Sequence, residues 1–168
     1  MKPAPGVPIE QQPETALFAC LLVREAANDG EPGMSAVAQV VMNRLRRPKR
    51  FGDSIREVIL QPWAFSCLNR NDPNRAKFLD SPKLDPNSYA IAEFVVSEAM
   101  GGALPDTVGP ATHYCTNGRH GTLALWGHDD SARIASGHRM AWYSQQAIEA
   151  GLTTQTATIG RQTFGVTA

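Results

Sequence analysis

Only three cysteines occur in 168 residues, Cys20, Cys67 and Cys115, odd in number and far apart. That argues against a disulfide framework and leaves no Cys-x-x-Cys metal or redox site, so reduced thiols in a cytoplasmic protein are expected. An excess of either charge is also missing. Sixteen basic residues balance sixteen acidic ones, and no overall field draws the protein to nucleic acid or to an anionic membrane. No apolar run is long enough to span a bilayer, so stable membrane insertion is not expected. The opening Met1-Lys2-Pro3-Ala4-Pro5-Gly6-Val7-Pro8 is too rich in proline and too poor in apolar residues for a secretory core. A protein that stays in the cytoplasm until it is released to the cell wall is the expectation. There are no internal repeats and no His-Glu-x-x-His, and the length suits one domain with a single cleft, expected as a monomer. The one local charge cluster, Arg44, Arg46, Arg47, Lys49 and Arg50, reads as a solvated face at a helix end.

What is present is helical periodicity with clear punctuation. Residues 1–13 read as a flexible arm, followed by a helix from about Glu14 to Ala27. Pro32 restarts the chain. Met34, Val37, Ala38, Val41, Met42 and Leu45 then form a stripe that ends near Pro48. Asp53 is a plausible N-cap for a short helix stopped by Gln61-Pro62. Residues 63–83 lack a period and read as a long loop. Asp85-Pro86 opens a helix to Met100, closed by Gly101-Gly102. Further on, Ala111 to Thr116 and Leu123 to Trp126 are short enough to be strands of a small hairpin. The Thr-rich tail from Thr153 shows no clear period, and residues 145–168 are expected to pack on the domain of residues 14–144 or to extend from it.

One acidic side chain breaks the pattern. Glu25 lies i+7, i+4 and i+3 from Phe18, Leu21 and Leu22 on the apolar stripe of the first helix, just before the run Asn28-Asp29-Gly30-Glu31-Pro32. A half-buried carboxyl at such a place disfavours its ionised form, which suits a general acid. The plain alternative is that Glu25 simply ends the stripe, hydrogen-bonded or solvated. Glu98 passes the same test behind Ile91, Phe94 and Val95, but it precedes an ordinary helix end, whereas Glu25 opens into a loop suited to the lip of a cleft.

Four segments in order carry a resemblance: Arg24 to Pro32, Ala36 to Arg44, Gln61-Pro62-Trp63-Ala64-Phe65-Ser66, and Ala111-Thr112-His113-Tyr114. Together they resemble the SleB/CwlJ-like cell-wall hydrolases, which include spore cortex-lytic enzymes and phage-type endolysins, over roughly residues 14–143. The resemblance implies a lysozyme-like, mostly helical fold; with the hairpin read from the residues after Pro110, an α+β class with a small β-hairpin region in the C-terminal half is expected. It further implies cleavage of the MurNAc-GlcNAc bond of peptidoglycan, in the best-known members as a lytic transglycosylase, with the glycan strand as partner; no cofactor is expected. The family's catalytic glutamate matches Glu25. Where the family usually reads Gly-Glu-Ala-Arg-Gly-Glu, this chain has Arg24 before the glutamate and two more residues before Gly30-Glu31.

Breaking a glycosidic bond needs a protonated carboxyl at the leaving oxygen and stabilisation of an oxocarbenium-like state. Glu25 meets the first need. A transglycosylase needs no second carboxylate; a muramidase does, and Asp29 and Glu31 are nearest in sequence. Gln61, Phe65, Ser66, Thr112, His113, Tyr114, Asn117 and Trp126 are the groups expected around the sugar, although Phe65 and Tyr114 also suit a core, Gln61 a helix cap and Trp126 the closure of the hairpin. A metal-dependent amidase or peptidase is the competing reading, since His113, Cys115, His120, His128, Asp129 and His138 are potential ligands. None shows a recognised ligand spacing, so no metal is expected. A glycan-binding or structural module without activity is the third.

Overall fold

The computed structural model describes residues 1–116, 127, 129–137 and 139–168. The chain divides into two compact units, Met1–Pro105 and Asp106–Ala168.

The first unit is helical. Its centre is α1 (Glu14–Ala26), in which every residue from Ala16 to Val23 is buried. A helix that is apolar all round has no solvent face to offer, and α1 is accordingly enclosed by α2 (Gly30–Leu45), α4 (Ile55–Leu60) and α6 (Pro86–Gly101). Two short helices, α3 (Pro48–Phe51) and α5 (Ser81–Leu84), complete the unit. The α6 boundaries follow the sequence. The Asp85 side chain accepts from Ser88 N–H at 3.1 Å, and Gly102 takes the left-handed conformation, φ 74°, that ends the helix.

Several expectations are corrected here. The run after Glu25 does not form an open loop, because Ala27–Asp29 makes one 3-10 turn and α2 begins at once at Gly30. Gly33 permits the close return. A Cβ at that position would stand 2.4 Å from the Asp29 Cβ and 3.6 Å from the Ala26 Cβ. The N-cap of α4 is Ser54, whose hydroxyl accepts from Glu57 N–H at 3.2 Å; it is one residue closer to the helix than Asp53. On α6 the buried residues are Tyr89, Ala92, Val95, Val96 and Ala99, while Ile91 and Phe94 are exposed, so of the stripe that singled out Glu98 only Val95 is packed. Residues 1–13 are tied down rather than loose. The buried Gln12 side chain accepts from Ala4 N–H and donates to the carbonyls of Ala4 and Val7, and Tyr89 Oη donates to the Met1 carbonyl at 2.9 Å.

Arg44 is the largest departure. Instead of facing water with the rest of its cluster it is buried, its guanidinium 4.8 Å from the Phe65 ring and 5.3 Å from the Phe51 ring, with Nη1 donating to the Ala64 carbonyl at 3.4 Å. A weakly hydrated, planar cation stacks on aromatic faces at a cost that an ammonium could not meet, which is why a charge is tolerated there.

The second unit holds a three-stranded antiparallel sheet in the order β1-β3-β2, with β1 (His113–Thr116), β2 (Thr153–Ile159) and β3 (Gln162–Thr167). The hairpin is made by the Thr-rich tail, where β-branched residues suit a pleated surface, and β1 adds to its β3 edge with Tyr114 opposite Phe164. Residues 123–126, expected to pair with β1, lie outside the described residues. Two short helices, α7 (Ser131–Ala135) and α8 (Gln145–Glu149), precede the hairpin. The chain is therefore a mostly helical α+β protein. No described helix is long and apolar enough to cross a membrane.

Candidate active site

Glu25 occupies the last turn of α1, half-buried, at the end of an otherwise enclosed helix. The helix axis and the 3-10 turn behind it fix where its backbone stands. Its carboxylate is held from a different part of the chain: Cys67 N–H donates to Glu25 Oε1 at 3.3 Å, at the long end for a hydrogen bond. The Cys67 thiol is buried beside the carboxylate, close enough for the Glu25 charge to act on it. Burial first, and then the neighbouring Glu25 charge, push the Cys67 thiol far above its ordinary range, so it stands beside Glu25 as a neutral group.

The segment that presents Cys67 is anchored by its neighbours. Phe65 is buried under the Arg44 guanidinium, and Ser66–Leu68 forms a 3-10 turn that aims the Cys67 N–H at Glu25. Arg24, next to Glu25, ties α1 down by donating from Nε to Ser81 Oγ at 2.9 Å and from Nη2 to the Lys77 carbonyl at 3.0 Å. Cys20, one turn earlier, is buried, and its thiol is raised to about 12 by desolvation against the opposing influence of Ser81 and Arg24.

Of the residues expected around the sugar, Gln61, Phe65 and Ser66 lie in the first unit. Ser66 is exposed beside Cys67. Phe65 is a core residue, 2% exposed, and serves the site through the loop it anchors. Gln61 is half-buried at the C-cap of α4 and donates from Nε2 to the Arg50 carbonyl at 3.2 Å. Thr112, His113 and Tyr114 lie in the second unit. Thr112 is fully buried, with Oγ1 at 3.0 Å from His113 Nδ1, and the His113 ring packs on Trp142 with centroids 5.4 Å apart. Tyr114 is half-buried on the sheet, 5.6 Å from the Phe164 ring. Asn117 and Trp126 lie outside the described residues, as do His120, His128 and His138. Asp129 Oδ1 accepts from Ser131 N–H and Gln146 Nε2, while desolvation raises the half-buried Cys115 thiol to about 11. Among the described residues no group of three or more His, Cys, Asp or Glu side chains is arranged to hold a metal ion. Cys67 escapes a reading of the sequence, because an apolar thiol in an aperiodic stretch carries no signal of its own; its only cue is its place next to Ser66.

No curated protein and no solved structure matches the chain. The family model described as cell wall hydrolase matches residues 28–164, most of the chain, opening at Asn28 just after Glu25. The chain thus belongs to the SleB-type cell wall hydrolase family and is an enzyme that acts on peptidoglycan.

Proposed function

We propose that the enzyme cleaves the glycan strand between N-acetylmuramic acid and N-acetylglucosamine as a lytic transglycosylase, with Glu25 as its single acid and base. The observation that carries this reading is the carboxylate of Glu25, half-buried at a helix end and oriented by Cys67. Protonated Glu25 gives its proton to the glycosidic oxygen as the C1–O bond breaks and positive charge builds on the muramyl ring. The resulting carboxylate then takes the proton of the C6 hydroxyl on the same sugar, whose oxygen closes on C1. A 1,6-anhydro end forms, the leaving strand keeps the transferred proton, and no water is consumed. One well-placed carboxyl thus serves both half-reactions.

A hydrolytic muramidase needs a second carboxylate, and Asp29 gives this alternative its footing: it is half-buried against Gly33 on the turn that follows Glu25. Glu31 is exposed at the start of α2.

Clearing of purified sacculi by the Glu25→Gln protein tests the assignment. The amide keeps the shape and has no proton to give, so the rate should fall at least ~100-fold with the fold intact. Glu98→Gln, at the half-buried acid near the end of α6, should act near the parental rate. A folded Glu25→Gln protein that still clears sacculi at a comparable rate overturns the assignment.

A further inference from the structure

Ala64 N–H donates to the Gln61 carbonyl at 3.1 Å, closing a four-residue turn with Pro62 second and Trp63 third. Trp63 has φ 66°. Proline second and positive φ third is the pattern of a type II turn, whose third position favours glycine because a side chain there is strained. Trp63 is the one described non-glycine residue with positive φ, and it is 80% exposed. A bulky side chain in a position suited to none, held out in water, contributes nothing to packing that would offset its strain. It lines a groove of about 460 Å³ together with Gln61, Asn69, Arg70 and Arg75. Arg75 is engaged, donating to the Leu68 carbonyl, whereas Arg70 is exposed. Glu10 brings one negative charge to the rim against these two positive ones. The same loop continues through Phe65 to Cys67, the residue that holds Glu25.

We infer that Trp63 and the groove beside it form a saccharide subsite, in which an N-acetylhexosamine ring of the wall glycan stacks on the indole while Arg70 meets a carboxylate of the stem peptide that the muramyl unit carries. The inference rests on the proposed glycan substrate. An indole face offers a broad apolar platform to the C–H face of a sugar, Gln61 and Asn69 offer amides to its hydroxyl and acetamido groups, and the net positive rim suits an acidic polymer.

The test uses Trp63→Gly, which removes the ring while relieving the backbone, so that a loss of binding cannot be ascribed to unfolding. Binding to purified sacculi is measured by co-sedimentation in a Glu25→Gln background, with Trp63→Phe alongside. Affinity should fall about three- to tenfold in Trp63→Gly and largely survive in Trp63→Phe. Soluble N-acetylglucosamine oligomers should compete and quench tryptophan emission, with the quench reduced in Trp63→Gly. A Trp63→Gly protein that binds sacculi as tightly as its parent overturns the subsite, as does competition by free stem peptide but not by the oligomers. Digestion of the sacculi by the Glu25→Gln background would instead count against the catalytic assignment alone.

Discussion

The backbone N–H of Cys67 donates to Glu25 Oε1, linking the end of the buried helix α1 to a loop forty-two residues further on. Neither partner could be placed by the other's local structure. The loop is held independently, through Phe65 beneath Arg44, so the carboxylate is oriented by the packing of α2 as well as by α1.

The Cys67 thiol should therefore matter to turnover more than to binding. In Cys67→Ala the backbone N–H remains but the neutral thiol beside the carboxylate is lost, and kcat should fall about three- to tenfold with KM nearly unchanged. Steady-state kinetics on soluble glycan fragments separates the two parameters. An unchanged kcat would show that the backbone donor alone suffices.

Arg44→Lys keeps the charge and loses the plane that stacks on Phe51 and Phe65. A loss of about 1–2 kcal/mol in stability is expected, with slower turnover as the segment from Phe65 to Cys67 loosens. Denaturant unfolding and kinetics measured on the same preparation check both.

Gly33→Ala should destabilise by about 1–3 kcal/mol, since the new methyl would meet Asp29 at 2.4 Å and push the turn behind Glu25 away. Gly101→Ala is its control. Nothing lies within 4 Å of a Cβ there, and the substitution should be neutral or slightly stabilising. Thermal unfolding of the two variants against the parent gives the comparison.

The thiols predict a pH dependence. Cys20 is raised to about 12 and Cys115 to about 11 from 9.0, chiefly by burial, and Cys67 moves in the same direction. In each the folded state holds its proton more tightly than the unfolded state does. The associated stability is fully present below pH 9 and is lost as pH rises from about 9 towards 12, because the unfolded chain ionises first. Native Cys115 should also react with a disulfide reagent at pH 8 about tenfold more slowly than an ordinary thiol, the smaller thiolate fraction being partly offset by a more nucleophilic thiolate. Unfolding at several pH values and thiol titration before and after denaturation test these together.

The long helices were legible in the sequence because period and punctuation agreed: α1, α2 and α6 each begin and end within a few residues of where their stripes, proline and glycine place them. Glu25 was legible as an acid in an apolar register. Arg44 was not, since charge in a basic run looks like solvent exposure until Phe51 and Phe65 close on it from elsewhere. The sheet is legible only in part. The β1 segment has a strand-like composition, but its pairing with β3 joins residues some fifty positions apart, and the tail's threonines alternate too weakly to declare their strands. The link from Glu25 to Cys67 is equally non-local, and no spacing in the chain announces it.

The most direct measurement is the mass of the fragments that the enzyme releases from purified peptidoglycan. Disaccharide-peptides lighter by one water than their hydrolytic counterparts, without new reducing ends, are the result expected if Glu25 works alone and the C6 hydroxyl attacks. New reducing muramic acid ends would give water and a second carboxylate, Asp29 or Glu31, the role denied to them here. Stem peptides freed from an uncut glycan would contradict the account altogether.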